Sequence, residues 1–158
     1  MRDHGVDDVV TALLLAVDEL DWTGVRAALA DEVRLDYTDL FGGEVETVPG
    51  DEVVRRWQGL LPGFDATQHL TGPLLVAEGA GGDTTVRTAV RGYHRFTEGG
   101  EHATWMVAGR YDMRVRRTPR GPRVTAVTLT VSYQDGDPKL TELAARRVAE
   151  GAGGRVGS

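Results

Sequence analysis

The sequence contains no cysteine and only four histidines, His4, His69, His94 and His102. Thiolate nucleophiles, disulfides, zinc-thiolate sites and iron-sulfur clusters are thereby excluded, and chemistry falls to carboxylates, hydroxyls, phenols and imidazoles. His94 belongs to a run whose alternation puts Val86, Thr88, Val90, Gly92, His94 and Phe96 on one face and Arg87, Arg91, Tyr93 and Arg95 on the other. An imidazole among apolar side chains has its pKa lowered by desolvation unless a carboxylate restores it, and the plainer reading is a core histidine satisfied by a backbone carbonyl. His69 sits in Thr67-Gln68-His69-Leu70 at the start of the preceding run. If the two runs are antiparallel neighbours, both imidazoles face one cavity. Asp18 lies at the border of a helical apolar stripe. It is either a solvated edge carboxylate, like its neighbours Asp7, Asp8, Glu19 and Asp21, or an orienter that fixes an imidazole tautomer and favours proton pick-up at the far nitrogen. Tyr37 alternates inward on its own run, as a core residue or as a donor to a developing oxyanion. A two-histidine, one-carboxylate metal site is the weaker use of these side chains, because both histidines lie on strand-like runs without ligand-rich neighbours. No metal and no cofactor is expected.

The elements that must position these groups follow from periodicity. Residues 6–20 carry apolar side chains at 6, 9, 10, 13, 17 and 20, the pattern of an amphipathic helix. Asp21 or Thr23 then caps a short helix through about residue 30. Residues 32–39 alternate, with Val33, Leu35 and Tyr37 on one face. Gly42-Gly43 signals a turn, and Pro49-Gly50-Asp51 opens a third helix over residues 52–60. Four strand-like runs follow, 66–78, 84–97, 102–118 and 122–134, divided by turn residues, then a helix over 138–150 and a frayed tail over 151–158. Helices first and long adjacent strands afterwards imply an α+β fold with an antiparallel meander covered on one face by the N-terminal helices.

At 158 residues the chain suits one domain, expected over 1–150. Eighteen basic against 24 acidic residues give a net charge of −6, which argues against a nucleic-acid partner. The cluster Arg114, Arg116, Arg117, Arg120 and Arg123 reads as a solvated rim or subunit contact. No apolar run reaches the roughly 18–20 residues of a membrane span, and no signal-peptide pattern precedes the first helix, so a cytoplasmic protein is expected. His4 and His102 read as solvated. An exposed sheet face with Tyr93 or Tyr111 would suit a homodimer or trimer.

Asp18, Asp21-Trp22, Val33-Arg34-Leu35-Asp36-Tyr37, Pro49 to Val54, Thr67-Gln68-His69, His94 and the closing 121–133 run together resemble the SnoaL-like branch of the nuclear transport factor 2 superfamily, and within it scytalone dehydratase and its relatives. The spacing of 25 residues from His69 to His94 matches without a gap. The resemblance implies a cone-shaped α+β barrel, a curved antiparallel sheet wrapped around the N-terminal helices with its interior as the active site. It implies His69 as general base held by Asp18, His94 as a second acid-base or substrate-orienting imidazole, and Tyr37 as donor to a carbonyl. Val17, Leu40, Trp57 and Leu61 are expected against the substrate. The family's tyrosine before the catalytic aspartate is Val17 here, which argues against scytalone itself as substrate. A family asparagine aligns with Asp112, whereas alternation puts Trp105, Val107, Tyr111 and Met113 on the apolar face, so that position is left unassigned. The expected activity is a cofactor-independent dehydratase-type lyase acting α to the carbonyl of a cyclic or polyketide-like small molecule. The alternatives are a cyclase or ketosteroid-isomerase-like isomerase in the same pocket, and a non-catalytic binding or assembly module.

Overall fold

The computed structural model describes residues 5–151. His4, and all but Gly151 of the expected tail, lie outside the described residues. The fold is α+β: helices, then a curved, unclosed, seven-stranded sheet. Helix α1 (Val6–Glu19) buries Val10, Leu13 and Val17 of the expected stripe, leaves Val6 and Val9 half-buried, and buries Leu14 and Ala16 as well. It ends at Leu20, whose left-handed backbone (φ 54°) turns the chain while its side chain stays 1% exposed. Asp21 then accepts from the Gly24 amide at 2.9 Å and caps α2 (Trp22–Ala28), which settles the choice between Asp21 and Thr23.

Strand β1 (Leu29–Asp36) begins and ends earlier than its alternation suggests. Asp36 Oδ1 accepts from the Thr38 amide (3.2 Å) and hydroxyl (2.7 Å), and this local turn starts the short helix α3 (Thr38–Phe41) where more strand was expected. Asp39 pins α3 to the sheet by accepting from the Val131 amide at 2.6 Å. Strand β2 (Glu46–Pro49), unforeseen in the sequence, pairs antiparallel with β1 and leads into α4 (Gly50–Gln58).

The expected 66–78 run is two strands, β3 (Ala66–Thr71) and β4 (Leu75–Glu78). Gly72-Pro73 interrupts it, because proline brings no N–H to a ladder. Both pieces pair antiparallel with β5 (Asp83–Glu98), which pairs in turn with β6 (Glu101–Thr118) and β6 with β7 (Gly121–Asp135). That is the expected meander. The expectation of a wholly antiparallel sheet needs correction, since β1 lies parallel to β7. The connection from β2 through α4 carries the chain to the opposite edge, where β3 lies, and the strand order is β2-β1-β7-β6-β5-β3.

Register shifts on β7 near Ala108/Gly109 and Arg114/Val115 mark bulges, which bend the sheet around α1. Helix α1 packs on β3, β5, β6 and β7, and the core of Leu13, Val17, Leu29, Val33, Trp105, Met113 and Val127 lies between them. Helix α5 (Leu140–Glu150) closes one end against a 3₁₀ turn, Leu61–Gly63. A Cβ on Gly63 would stand 2.0 Å from the Ala144 carbonyl oxygen, so only glycine permits this approach. Among the described residues no helix is long and apolar enough to cross a membrane.

Candidate active site

The β3–β5 register pairs His69 with Gly92 and Thr67 with His94, so both imidazoles stand on the concave face of adjacent strands. Asp18, at the edge of the α1 stripe, reaches β3 with both carboxylate oxygens. Oδ2 accepts from the His69 backbone amide at 2.8 Å, while Oδ1 lies 2.7 Å from His69 Nδ1 and accepts from the Thr67 hydroxyl at 3.1 Å. Asp18 is therefore not a solvated edge residue: its side chain is 14% exposed and that of His69 12%. A carboxylate only accepts, so Nδ1 of His69 carries the hydrogen, and in the neutral ring Nε2 is the lone pair. That Nε2 lies 3.4 Å from where a Cβ on Gly92 would be, and the His94 Cε1 lies at the same distance. Glycine keeps the space between the two rings open.

His94 is 7% exposed and sits between Trp105 (ring centroids 4.5 Å apart) and Phe64 (5.0 Å), with His69 edge-on at 5.8 Å. Its Nδ1 lies 3.1 Å from the Trp105 carbonyl oxygen. Desolvation first, and the neighbouring His69 second, lower its pKa to about 4 against the opposing pull of the Trp105 carbonyl and Asp18. At neutral pH the ring is uncharged, its hydrogen is on Nδ1, and Nε2 is an acceptor. The plain reading of His94, a histidine satisfied by a carbonyl, thus describes one of its nitrogens. The reading of His94 as a resident acid does not fit this protonation state, whereas an orienting imidazole does.

These groups open into a cavity of about 360 Å³. Its walls include Val17, Leu40, Trp57 and Leu61, together with Leu13, Leu35, Val90, Val107, Met113 and Leu129. Tyr37 also lines it, as the residue that precedes α3, not as a strand residue. Sequence reasoning left the β6 position open. The structure turns Tyr111 inward and Asp112 outward, where Asp112 pairs with Arg87 at 2.7 Å and Arg110 at 2.9 Å. Tyr111 consequently takes no part in an exposed sheet face, which keeps Tyr93. Burial pushes the Tyr111 phenol up to about 12 and, with the adjacent Tyr111, that of Tyr37 well above 10, so both stay protonated.

The mouth is polar. Phe41, Glu44, Glu46 and Arg56 border it, with Arg56 donating to Glu46 at 2.6 Å and Glu52 at 3.0 Å. Thr67, the mouth residues and Gly92 were missed. Thr67 was detectable in principle, two residues from His69 and so on the same strand face. His102 is exposed, beside the Thr97 hydroxyl at 2.8 Å. Among the described residues no group of three or more histidine, aspartate or glutamate side chains could hold a metal ion.

The profile of the SnoaL-like domain matches residues 3–128. No curated protein matches the chain significantly. Similar solved structures include a Kribbella flavida protein, 25% identical with a TM-score of 0.77 over 88% of this chain and 93% of that one. A candidate scytalone dehydratase from Novosphingobium aromaticivorans is 15% identical, with a TM-score of 0.70 over 84% and 85%. A hexachlorocyclohexane dehydrochlorinase from Novosphingobium barchaimii is 13% identical, with a TM-score of 0.65 over 84% and 88%. The last two likenesses concern the fold. With the profile spanning most of its length, the chain belongs to the SnoaL-like domain family and has the NTF2-like fold.

Proposed function

We propose that this protein is a cofactor-independent lyase that eliminates water from a cyclic or polyketide-like β-hydroxy ketone. The observation that carries this reading is the 2.7 Å contact of Asp18 with His69 Nδ1, which leaves Nε2 as a base at an apolar cavity. In the proposed reaction His69 Nε2 removes the proton α to the carbonyl, Asp18 stabilises the imidazolium that forms, and the phenol side of the cavity holds the enolate oxygen. His94, neutral, accepts a hydrogen bond from the substrate's hydroxyl and orients it. The proton on His69 then passes to that hydroxyl as its C–O bond breaks, so the α-proton and the hydroxyl leave together as water.

Apolar walls favour a neutral ring over a charged substrate, and exclusion of water strengthens the hydrogen bonds at the reacting atoms. Two of the similar folds carry the names of elimination enzymes, which supports elimination over isomerisation or cyclisation. The experiment is incubation of cyclic β-hydroxy ketones with the protein and mass analysis of the products. Loss of one water, abolished in His69→Ala, is the expected result. A product of unchanged mass points to an isomerase or cyclase, and unaltered ketones to a binding module.

A further inference from the structure

One oxygen of Asp18 serves two partners at once. Oδ1 lies 2.7 Å from His69 Nδ1 and accepts from the Thr67 hydroxyl at 3.1 Å, while Oδ2 takes the His69 amide. Thr67 stands two residues before His69, so the two side chains share the concave face of β3, and the register sets Thr67 opposite His94 on β5. Branching at Cβ restricts the threonine rotamer, and the residue is only 7% exposed, so water does not readily replace its hydroxyl. A carboxylate has no hydrogen to give, so the hydroxyl is the donor, and its one hydrogen is spent on Asp18. Thr67 is not part of the cavity wall, so any effect it has on the reaction passes through Asp18.

We propose that Thr67 is a positioning residue that shares Asp18 Oδ1 with His69, fixing the carboxylate beside the ring and limiting how far it raises the proton affinity of Nε2. The inference deepens the enolisation reading above and rests on it for its part in catalysis. Its physical basis is competition at a single atom. Each hydrogen bond that an oxygen accepts draws charge from it, and less charge remains to stabilise the imidazolium that forms when Nε2 takes a proton. A general base works best when it is free at the working pH yet still able to accept, and a carboxylate that pulls too strongly would hold the ring protonated. Thr67 moderates that pull while it helps to dock α1 on β3. The other titratable groups facing the pair are His94 from β5, edge-on to His69, and Tyr111 from β6, close enough to feel the Asp18 charge. His94 takes its proton only near pH 4 and Tyr111 loses its own only near pH 12, so neither changes charge in the neutral range.

The test follows the His69 ring by NMR in the whole chain between about pH 5 and 9, with His69→Ala to assign its signal. Thr67→Val keeps the shape and removes the hydroxyl, and the pH at which His69 takes its proton is expected to rise by about half to one pH unit, the effect of one hydrogen bond. Thr67→Ser keeps the hydroxyl and is expected to restore the wild-type midpoint. The acid limb of ketone α-proton exchange is expected to move with the ring, whereas a residue that only supports the fold would scale the rate without moving the limb. In wild-type protein the Thr67 hydroxyl proton is expected to exchange slowly with water and its resonance to move as His69 titrates, a readout that needs no variant to fold. An unmoved or lowered midpoint in Thr67→Val, the same rise in Thr67→Ser, or a Thr67 hydroxyl that exchanges as freely as an exposed one overturns the proposal. The expected rise at His69, in a protein that exchanges no ketone α-proton, would leave the Thr67 assignment standing and remove the enolisation reading instead.

Discussion

Asp18 grips His69 at both ends of the residue, with one carboxylate oxygen 2.8 Å from its backbone amide and the other 2.7 Å from its ring Nδ1. The same contact that docks α1 on the sheet therefore also sets the rotation and tautomer of the imidazole. Fold and candidate chemistry share one side chain.

Asp18→Asn separates these roles. An amide offers one acceptor oxygen where three donors converge (the His69 amide, the His69 ring and the Thr67 hydroxyl), and its own N–H groups oppose them. Turnover is expected to fall about 10²- to 10³-fold, with a stability loss of roughly 1–3 kcal/mol in denaturant unfolding. Activity within threefold of wild type would show that Asp18 acts only as a structural dock.

His94 makes stability depend on pH. Its folded pKa of about 4 lies below the ordinary 6.5, so the unfolded chain binds its proton more readily. The contribution is fully present above pH 6.5 and is lost as the pH falls from 6.5 through 4, a change of about 3 kcal/mol at pH 4. Urea unfolding of wild type and His94→Phe across that window is expected to show a steeper acid decline in wild type. Parallel curves would contradict the neutral, buried imidazole.

Gly92→Ala weighs two opposed effects. A Cβ there meets His69 Cδ2 at 3.3 Å and His94 Cε1 at 3.4 Å, so one ring must give by a few tenths of an ångström. Replacing a strand glycine, in contrast, removes unfolded-state entropy worth about 0.5–1 kcal/mol. Thermal stability is expected to stay near wild type while turnover drops about tenfold or more, since misplacement near a reacting atom is costly in rate. Unchanged kinetics would show that the rings have slack.

Arg147 holds α5 in place by stacking over Phe96 at 3.7 Å and donating to the Thr97 carbonyl at 2.8 Å and the Gly63 carbonyl at 3.2 Å. Arg147→Ala is expected to cost about 2 kcal/mol and to speed amide exchange through α5. Leu61, in the 3₁₀ turn beneath α5, lines the cavity, so KM is expected to rise more than kcat falls. Wild-type exchange rates in α5 would assign the clamp to some other contact.

Much of this arrangement was legible in the sequence, and the limits have local causes. Alternation placed His94 on the buried face because β5 is long and regular, and it placed Tyr111 and Asp112 correctly where the family resemblance did not. It failed after Asp36, since a side-chain turn to Thr38 ends the strand without any change in hydrophobic pattern. It failed again at Gly72-Pro73, where two short strands share one partner. The parallel pairing of β1 with β7 comes from chain crossing, which periodicity does not encode. Helical position alone left Asp18 ambiguous, because its partners are about fifty residues away, on β3.

The central claim is that His69 Nε2, oriented by Asp18, removes a proton α to a carbonyl. The direct measurement follows α-proton exchange of cyclic ketones in deuterated water by NMR, with wild type and His69→Ala side by side. The account predicts enzyme-dependent deuterium uptake at the α-carbon that disappears in His69→Ala, with the fold of the variant verified by circular dichroism. Equal uptake in both proteins would contradict it.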